Sequence, residues 1–130
     1  MKKLLFVLSV LLFVSLGASA QTAAKVEGPE IKFTATVHDY GTISQNANGD
    51  CTFRFKNVGT EPLIISDVRK SCGCTTPTWS KEPIFPGQTG EIKVGYNTAS
   101  IGGFSKTITV ISNAVSANVV LTIKGNVVAK

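Results

Sequence analysis

Hydrophobic and polar residues alternate with a period of two along most of the chain, and no segment has a helical period. The alternation is clearest in "CTFRFKN", where Cys51, Phe53 and Phe55 share one face and the residues between them are polar. The segments "EIKVGYN" and "ANVVLTIKGNVV" repeat it. This pattern predicts β-strands that each bury one face.

Turns rich in Gly, Pro and Asn, such as "SQNANGD", "VGTEP" and "FPGQTG", separate the strands. About seven strands with a turn every 8–12 residues or so predict an immunoglobulin-like antiparallel β-sandwich. The turn "VGTEP" predicts that its two flanking strands pair as a hairpin. The alternation in "IKFTATV" places Ala35 and Val37 on the inward face. The predicted interior comprises Phe53, Phe55, Ile65, Val94, Tyr96, Ile108, Val110, Leu121 and Ile123.

The N-terminus has the pattern of a secretory signal peptide. Two lysines precede a 13-residue apolar run, and "ASA" supplies the small residues that signal peptidase requires. We therefore expect residues 1–20 to be cleaved between Ala20 and Gln21, residues 21–30 to form a flexible lead-in, and residues 31–130 to form one domain. The expected location is the periplasm, the cell surface or the extracellular medium, with no transmembrane segment in the mature chain.

The charge of the chain argues against nucleic-acid binding. The full chain has 13 Lys and Arg against 8 Asp and Glu, and loss of the two signal-peptide lysines reduces the net charge from +5 to 11 − 8 = +3. The remaining basic residues are scattered, whereas a protein that tracks phosphates clusters them. We expect no nucleic-acid partner.

Several segments resemble, in order, the bacterial family known as domain of unknown function 1573. They are "HDYGTI", "FRFKNVGTEPLIISDVRKSCGCTTPTW", "PIFPGQTGEIKVGYNT", "GGFSKTITVISN" and "LTIKGNV". The resemblance covers about Ile31 to Val127, and it is most specific at "SCGCT" and at Pro86-Gly87. It implies an exported immunoglobulin-like domain of unassigned activity. The chain is also similar, more distantly, to the sandwich modules of major sperm protein and cilia-associated proteins, which are binding and scaffolding units.

Of the three cysteines, Cys51 alternates with buried phenylalanines and is predicted to be a small core residue. In the predicted hairpin Cys51 lies near Val68, so Cys72 and Cys74 are about 13 and 20 Å too far along the strand to bridge to it. A disulfide between Cys72 and Cys74 is possible if the chain bends at the intervening glycine. Its small ring would add little stability. Two thiolates could instead bind a soft ion such as Cu(I), or act as a redox pair.

No residue pattern predicts catalysis. His38 is the only histidine available as a base for a cysteine nucleophile, and the chain has no paired carboxylates, no G-x-S-x-G and no phosphate loop. We predict a non-enzymatic binding or scaffolding module without a cofactor, whose unknown partner is an envelope or extracellular protein. The candidate surface is a loop from Cys72 to Phe85, with Trp79 and Phe85 as binding residues. The alternative is a thiol-based carrier of a soft metal such as copper, or a redox protein, that uses Cys72 and Cys74.

Overall fold

A computed structural model describes residues 27–130, which form two four-stranded sheets packed face to face. The strands are β1 (Ile31–Phe33), β2 (Val37–Ser44), β3 (Asp50–Asn57), β4 (Ile65–Lys70), β5 (Thr75–Trp79), β6 (Thr89–Tyr96), β7 (Gly102–Ser112) and β8 (Asn118–Val128). Sheet 1 has the order β1-β3-β6-β5 and sheet 2 the order β2-β8-β7-β4. Across residues 27–130 there is no helix that could span a membrane. The predicted cleavage site and residues 1–26 lie outside the described residues.

The period-two pattern puts the apolar side chains between the sheets, as predicted. In β3 the residues alternate strictly between exposed and buried, with Phe53 and Phe55 only 3% and 2% exposed. Eight of the nine predicted interior residues are buried, and Tyr96 is half-buried at the rim of the core. The prediction of an immunoglobulin-like sandwich is confirmed, with eight strands instead of about seven.

The predicted hairpin at "VGTEP" is wrong. β3 lies in sheet 1, paired with β1 and β6, whereas β4 lies in sheet 2, paired with β7. The turn therefore carries the chain from one sheet to the other, because turn residues specify a reversal of direction and not the sheet that the next strand joins. Cys51 is buried in the core as predicted. The argument that Cys51 is too far from Cys72 and Cys74 for a disulfide assumed this hairpin, so it no longer holds.

Chain segments that pass between the sheets close both sides of the sandwich. Residues 34–36 lead from β1 to β2 on one side, and residues 71–74 lead from β4 to β5 on the other. The first crossing leaves Ala35 and Val37 exposed, contrary to the predicted inward face. β2 then pairs parallel with β8, so this edge departs from the antiparallel arrangement that the sequence predicts.

The two ends of the sandwich hold different loops. At one end β3 and β7 stop while β4, β6 and β8 begin, and we call this the Asn57 end, comprising residues 27–30, 57–64, 80–88 and 113–117. Its loops meet through hydrogen bonds, including Val115 N–H to the Pro29 carbonyl at 2.9 Å. The other end, the disulfide end, comprises residues 45–49, 71–74 and 97–101. Residues 28–30 of the expected lead-in are thus bonded to the domain.

Candidate functional site

The crossing segment that carries "SCGC" is tied to sheet 2 before the cysteines and to sheet 1 after them. The backbone N–H of Ser71 donates to the Thr107 carbonyl at 3.0 Å, and its hydroxyl accepts the Thr107 N–H at 3.1 Å. The Cys74 carbonyl accepts the Asn97 N–H at 2.9 Å. These bonds hold the path of the chain across the side of the sandwich without help from either cysteine side chain.

Cys72 and Cys74 are joined by a disulfide in the structure, with Cα atoms 5.4 Å apart. An extended strand would separate residues i and i+2 by about 6.6 Å, so the segment is bent between the two cysteines. Both residues are half-buried. The N–H of Cys74 points at the Cys72 sulfur, 3.2 Å away. The two sulfur atoms therefore have unequal surroundings. Within the described residues, Cys72 Sγ receives a backbone hydrogen bond and Cys74 Sγ does not.

Gly73 lies between the cysteines at the outermost point of the crossing, and the fold does not require a glycine there. A Cβ atom built on Gly73 meets no other atom within 4 Å, and its φ lies outside the left-handed region. The bend that the sequence assigns to glycine's conformational freedom is thus one that other residues can adopt. The missing side chain leaves the space above the disulfide open.

The register of β4 on β7 brings a lysine to the start of the crossing segment. Lys70 pairs with Ile108, and Ser71 is bonded to Thr107. Continuing this register by one residue puts Cys72 opposite Lys106. Lys106 is half-buried and alternates with Ile108 along β7, so it occupies an inward position where β4 has ended.

The described residues bring no third metal ligand or general base to the cysteines. Between residues 27 and 130 no group of three or more His, Cys, Asp or Glu side chains is placed to hold a metal ion. His38 packs edge-on against Tyr40, with ring centroids 4.5 Å apart. Because β2 and β4 are the opposite edges of sheet 2, three strand spacings or roughly 14 Å separate His38 from the strand that leads to Cys72.

Cys51 lies apart from the other two cysteines, inside the core. It is 8% exposed and has no disulfide partner in the described chain. Burial raises the pKa of its thiol, so the neutral form is favoured. The phenol of Tyr40, which donates to the Gly49 carbonyl at 2.5 Å, is likewise raised in pKa, chiefly by burial and secondly by the neighbouring Cys51.

The segment from Cys72 to Phe85 is not the single loop that the sequence predicts. After the cysteines it forms edge strand β5, which starts at the disulfide end and pairs with the second half of β6. Trp79 therefore lies opposite Ile92, about midway along β6, and only Phe85 reaches the loops at the opposite end from the cysteines. Trp79 is half-buried and packs against the core, with its indole N–H buried and without a partner in the described residues. Phe85 is 54% exposed.

A fully buried asparagine holds the loops of the Asn57 end together. The Oδ1 of Asn57 accepts the N–H groups of Glu30 at 3.4 Å and Gly59 at 2.9 Å. Its Nδ2 donates to the carbonyls of Glu61 at 2.7 Å and Ile84 at 2.8 Å. One side chain thus joins the start of β1, the loop after β3 and the loop before β6.

Apolar side chains project from these loops. Of the seven large hydrophobic residues that are exposed in the described chain, four lie at this end, and they are Val58, Ile64, Phe85 and Val115. We call them the apolar patch. The loops that carry the patch contain four glutamates and one lysine, Lys81, although the chain as a whole is basic. The Asn57 end therefore combines exposed apolar groups with a negative surround.

The family model for proteins of unknown function, DUF1573, matches residues 31–127. The chain belongs to the DUF1573 family. The predicted membership is confirmed, and the match includes the disulfide and all of the Asn57 end except residues 27–30. No curated protein matches the DUF1573 chain.

Solved structures share the fold of this DUF1573 domain at low sequence identity. A protein of unknown function from Porphyromonas gingivalis W83 is 18% identical with a TM-score of 0.67, and the match covers 82% of this chain and 50% of that one. The chain thus spans half the length of that relative. The ASH / PapD-like domain 7 of human CEP192 is 6% identical with a TM-score of 0.65, covering 78% and 87% of the two chains.

A further similar structure is WR4, a C. elegans MSP family member. It is 9% identical with a TM-score of 0.51, and the match covers 78% of this chain and 100% of that one. At these identities the likeness shows the fold alone.

Sequence reasoning about the DUF1573 domain missed Lys106 and most of the apolar patch. Lys106 interrupts the apolar alternation of β7, which signals an unusual inward position, but only the register shows that it faces the crossing. Val58 and Val115 lie in loops, where a single apolar residue carries no periodic signal. The alternation of "LIISDV" puts Ile64 on the face opposite to Leu63 and Ile65 without showing which residues lie near it. The composition of the turns does indicate Phe85 as a loop residue and Asn57 as a residue whose side chain hydrogen-bonds to the backbone.

Proposed function

We propose that this DUF1573 domain is an exported, non-enzymatic module that binds an envelope protein through the apolar patch of the Asn57 end. The N-terminal signal pattern supports export. The disulfide is consistent with export, because disulfides form and persist in oxidising compartments outside the cytoplasm. The family has no assigned activity, so the proposal rests on the surface of the domain itself.

One observation carries the binding role: the exposed hydrophobic side chains gather at one end of the sandwich. Isolated exposed hydrophobic residues are ordinary, but a group of them marks an interaction surface. The buried Asn57 network fixes the loops beneath the patch, so little ordering is needed when a partner docks. A rigid apolar surface surrounded by polar residues is typical of a protein interface.

Pairing of an edge strand with a partner is the weaker mechanism for this domain. β1 has only three residues, and β5 contains Pro77, which has no N–H to donate. β2 is irregular between Asp39 and Thr42, where Gly41 has a φ of 64°. These features make three of the four sheet edges poor partners for an added strand. They therefore favour loop contacts at the Asn57 end over strand addition.

The charge around the patch indicates the chemistry of the partner. Glu27, Glu61 and Glu82 are exposed in the loops that carry it. A partner surface with apolar residues ringed by Lys or Arg would match this end, whereas an anionic membrane would be repelled by it. We therefore assign the patch to a protein and not to lipid.

The geometry also supports a role without catalysis. His38 and the disulfide lie on opposite sides of sheet 2, and Cys51 is enclosed in the core. A cysteine nucleophile needs a base within hydrogen-bond reach, and the described residues do not provide that pair.

The test compares Phe85→Asp with Ile101→Asp. Both residues are similarly exposed, at 54% and 58%, but Ile101 lies in the loop at the opposite end. The mature protein is used to capture partners from its own envelope fraction, each captured protein is identified and purified, and its Kd is measured against wild type and both variants. We expect Phe85→Asp to weaken binding at least about tenfold and Ile101→Asp to leave it within about twofold.

Equal effects of the two variants, or none, would overturn the proposal. Binding of the wild-type protein to anionic vesicles that Phe85→Asp abolishes would also overturn it, in favour of a membrane-docking end.

A further inference from the structure

We infer that the Cys72–Cys74 disulfide is a thiol–disulfide exchange site that accepts electrons from a protein dithiol. This inference is independent of the binding role proposed for the Asn57 end, because the two features lie at opposite ends of the sandwich. It rests on the access to the disulfide, on the different surroundings of its sulfur atoms, and on its small part in holding the fold.

The disulfide can be reached from solvent. It lies in a crossing segment on the side of the sandwich, and both cysteines are half-buried instead of enclosed. Gly73 is exposed, and the space where its side chain would lie is empty to 4 Å. The fold does not require glycine at this position, and the missing side chain leaves room for another chain to approach the sulfur atoms.

The surroundings assign different roles to the two sulfur atoms. The N–H of Cys74 donates to Cys72 Sγ at 3.2 Å, and Lys106 is the β7 residue next to Thr107, which is bonded to Ser71 at the start of the crossing. A hydrogen-bond donor and a cation both stabilise a thiolate. Cys72 is therefore the better leaving group, and Cys74 Sγ is the atom that an incoming thiolate attacks.

The exchange proceeds in two balanced steps. A thiolate of the partner dithiol attacks Cys74 Sγ, a mixed disulfide with Cys74 forms, the Cys72–Cys74 bond breaks, and Cys72 leaves as the thiolate. The second thiolate of the partner then attacks the partner's own sulfur in the mixed disulfide, which releases Cys74 as a thiolate and closes the partner disulfide. Two electrons pass from the partner to this domain, and the two protons released by the partner thiols are available to Cys72 and Cys74.

The fold does not depend on this disulfide. The crossing is anchored by the paired bonds between Ser71 and Thr107 and by the bond from Asn97 to the Cys74 carbonyl. The disulfide closes a ring with a sequence separation of only 2, which constrains the unfolded chain far less than a long loop does. The domain can therefore open and close the disulfide while it stays folded, as an exchange site requires.

The first experiment measures reduction of the folded mature protein by dithiothreitol, a small dithiol, followed by alkylation and mass mapping. We expect Cys72 and Cys74 to be reduced and alkylated without denaturant, while Cys51 remains unmodified. Gly73→Val should slow reduction about tenfold by obstructing the sulfur atoms, with unfolding midpoints within about 0.5 M urea of wild type. A disulfide that is reduced only in denaturant would overturn the inference, as would a Gly73→Val variant that is reduced as fast as wild type.

The second experiment separates the roles of the two sulfur atoms. Cys72 in the Cys74→Ser variant should react with iodoacetamide near neutral pH about tenfold faster than Cys74 in the Cys72→Ser variant. In the Cys74→Ser background, Lys106→Gln should lower the Cys72 rate and Lys106→Arg should retain it. Equal rates for the two cysteines would contradict the assignment. If the disulfide is reduced only in denaturant, and the protein refolded from that state takes up Cu(I) stoichiometrically, metal carriage would replace the inference.

Discussion

Replacement of Asn57 by alanine tests whether one side chain holds the loops beneath the apolar patch. The substitution removes four hydrogen bonds, to the N–H groups of Glu30 and Gly59 and to the carbonyls of Glu61 and Ile84. Asn57 is 0% exposed, so solvent cannot replace the lost partners without opening the loops.

The magnitude follows from the geometry of these bonds. Three of them are between 2.7 and 2.9 Å and the fourth is 3.4 Å, so three are counted at full strength. A net contribution of about 1 kcal/mol for each strong bond gives a loss of about 3 kcal/mol. This is a large part of the roughly 5–15 kcal/mol by which a domain of this kind is stable.

Asn113→Ala is the matched control, because Asn113 also bridges backbone groups of neighbouring loops. Its Oδ1 accepts the Ile64 N–H at 2.7 Å and its Nδ2 donates to the Pro62 carbonyl at 3.2 Å, but the residue is exposed. Water can take over these bonds, so we expect a loss of about 0.5–1 kcal/mol. Urea unfolding followed by tryptophan fluorescence measures both variants. A loss for Asn57→Ala no greater than that for Asn113→Ala would refute the reasoning.

Three further predictions concern the core and its rim. Gly90→Ala should destabilise the domain by about 1–3 kcal/mol, since its Cβ would lie 2.5 Å from the buried Phe55 ring, whereas Gly73→Ala should be within about 0.5 kcal/mol of wild type in the same urea assay. The pKa of the Tyr40 phenol is raised in the folded state, so only the unfolded state ionises near its ordinary value of about 10, and stability should fall as the pH rises above that value. Tyr40→Phe should reduce this alkaline loss in unfolding curves measured at pH 9 to 11; an unchanged slope would contradict the shift. Cys51 should remain unreactive toward a thiol reagent in the native protein and react once in denaturant, and labelling of the folded protein at Cys51 would show that the core is more open than described.

The sequence predicts the layers of this fold better than it predicts the connections. Phe53 and Phe55 alternate with polar residues because the sheet has one dry face, and that alternation depends on no other strand. The order of strands depends on long-range pairing, such as that of β2 with β8, for which a local pattern carries no signal. The turn "VGTEP" accordingly predicts a reversal correctly and a hairpin wrongly.

The candidate sites divide in the same way. The two clustered cysteines are visible as a motif, and the exposed glycine between them is visible as well. The sequence does not reveal β5, because "TTPTW" has no apolar alternation and includes a proline. A proline argues against a strand, although an edge strand tolerates it. The approach of Lys106 to the start of the crossing and the grouping of the apolar patch both involve residues far apart in sequence, so the sequence pattern alone does not show them.

The length of β7 sets the distance between the two ends of the sandwich. The strand has 11 residues and runs from the disulfide end to the Asn57 end, a span of about 36 Å at the usual rise per residue. The described chain starts at the Asn57 end, whereas the crossing that carries the sulfur atoms begins opposite Thr107, five residues or roughly 17 Å along β7 from that end. A molecule seated on the apolar patch and a second one reacting with the disulfide could then occupy the domain together, without competing for room.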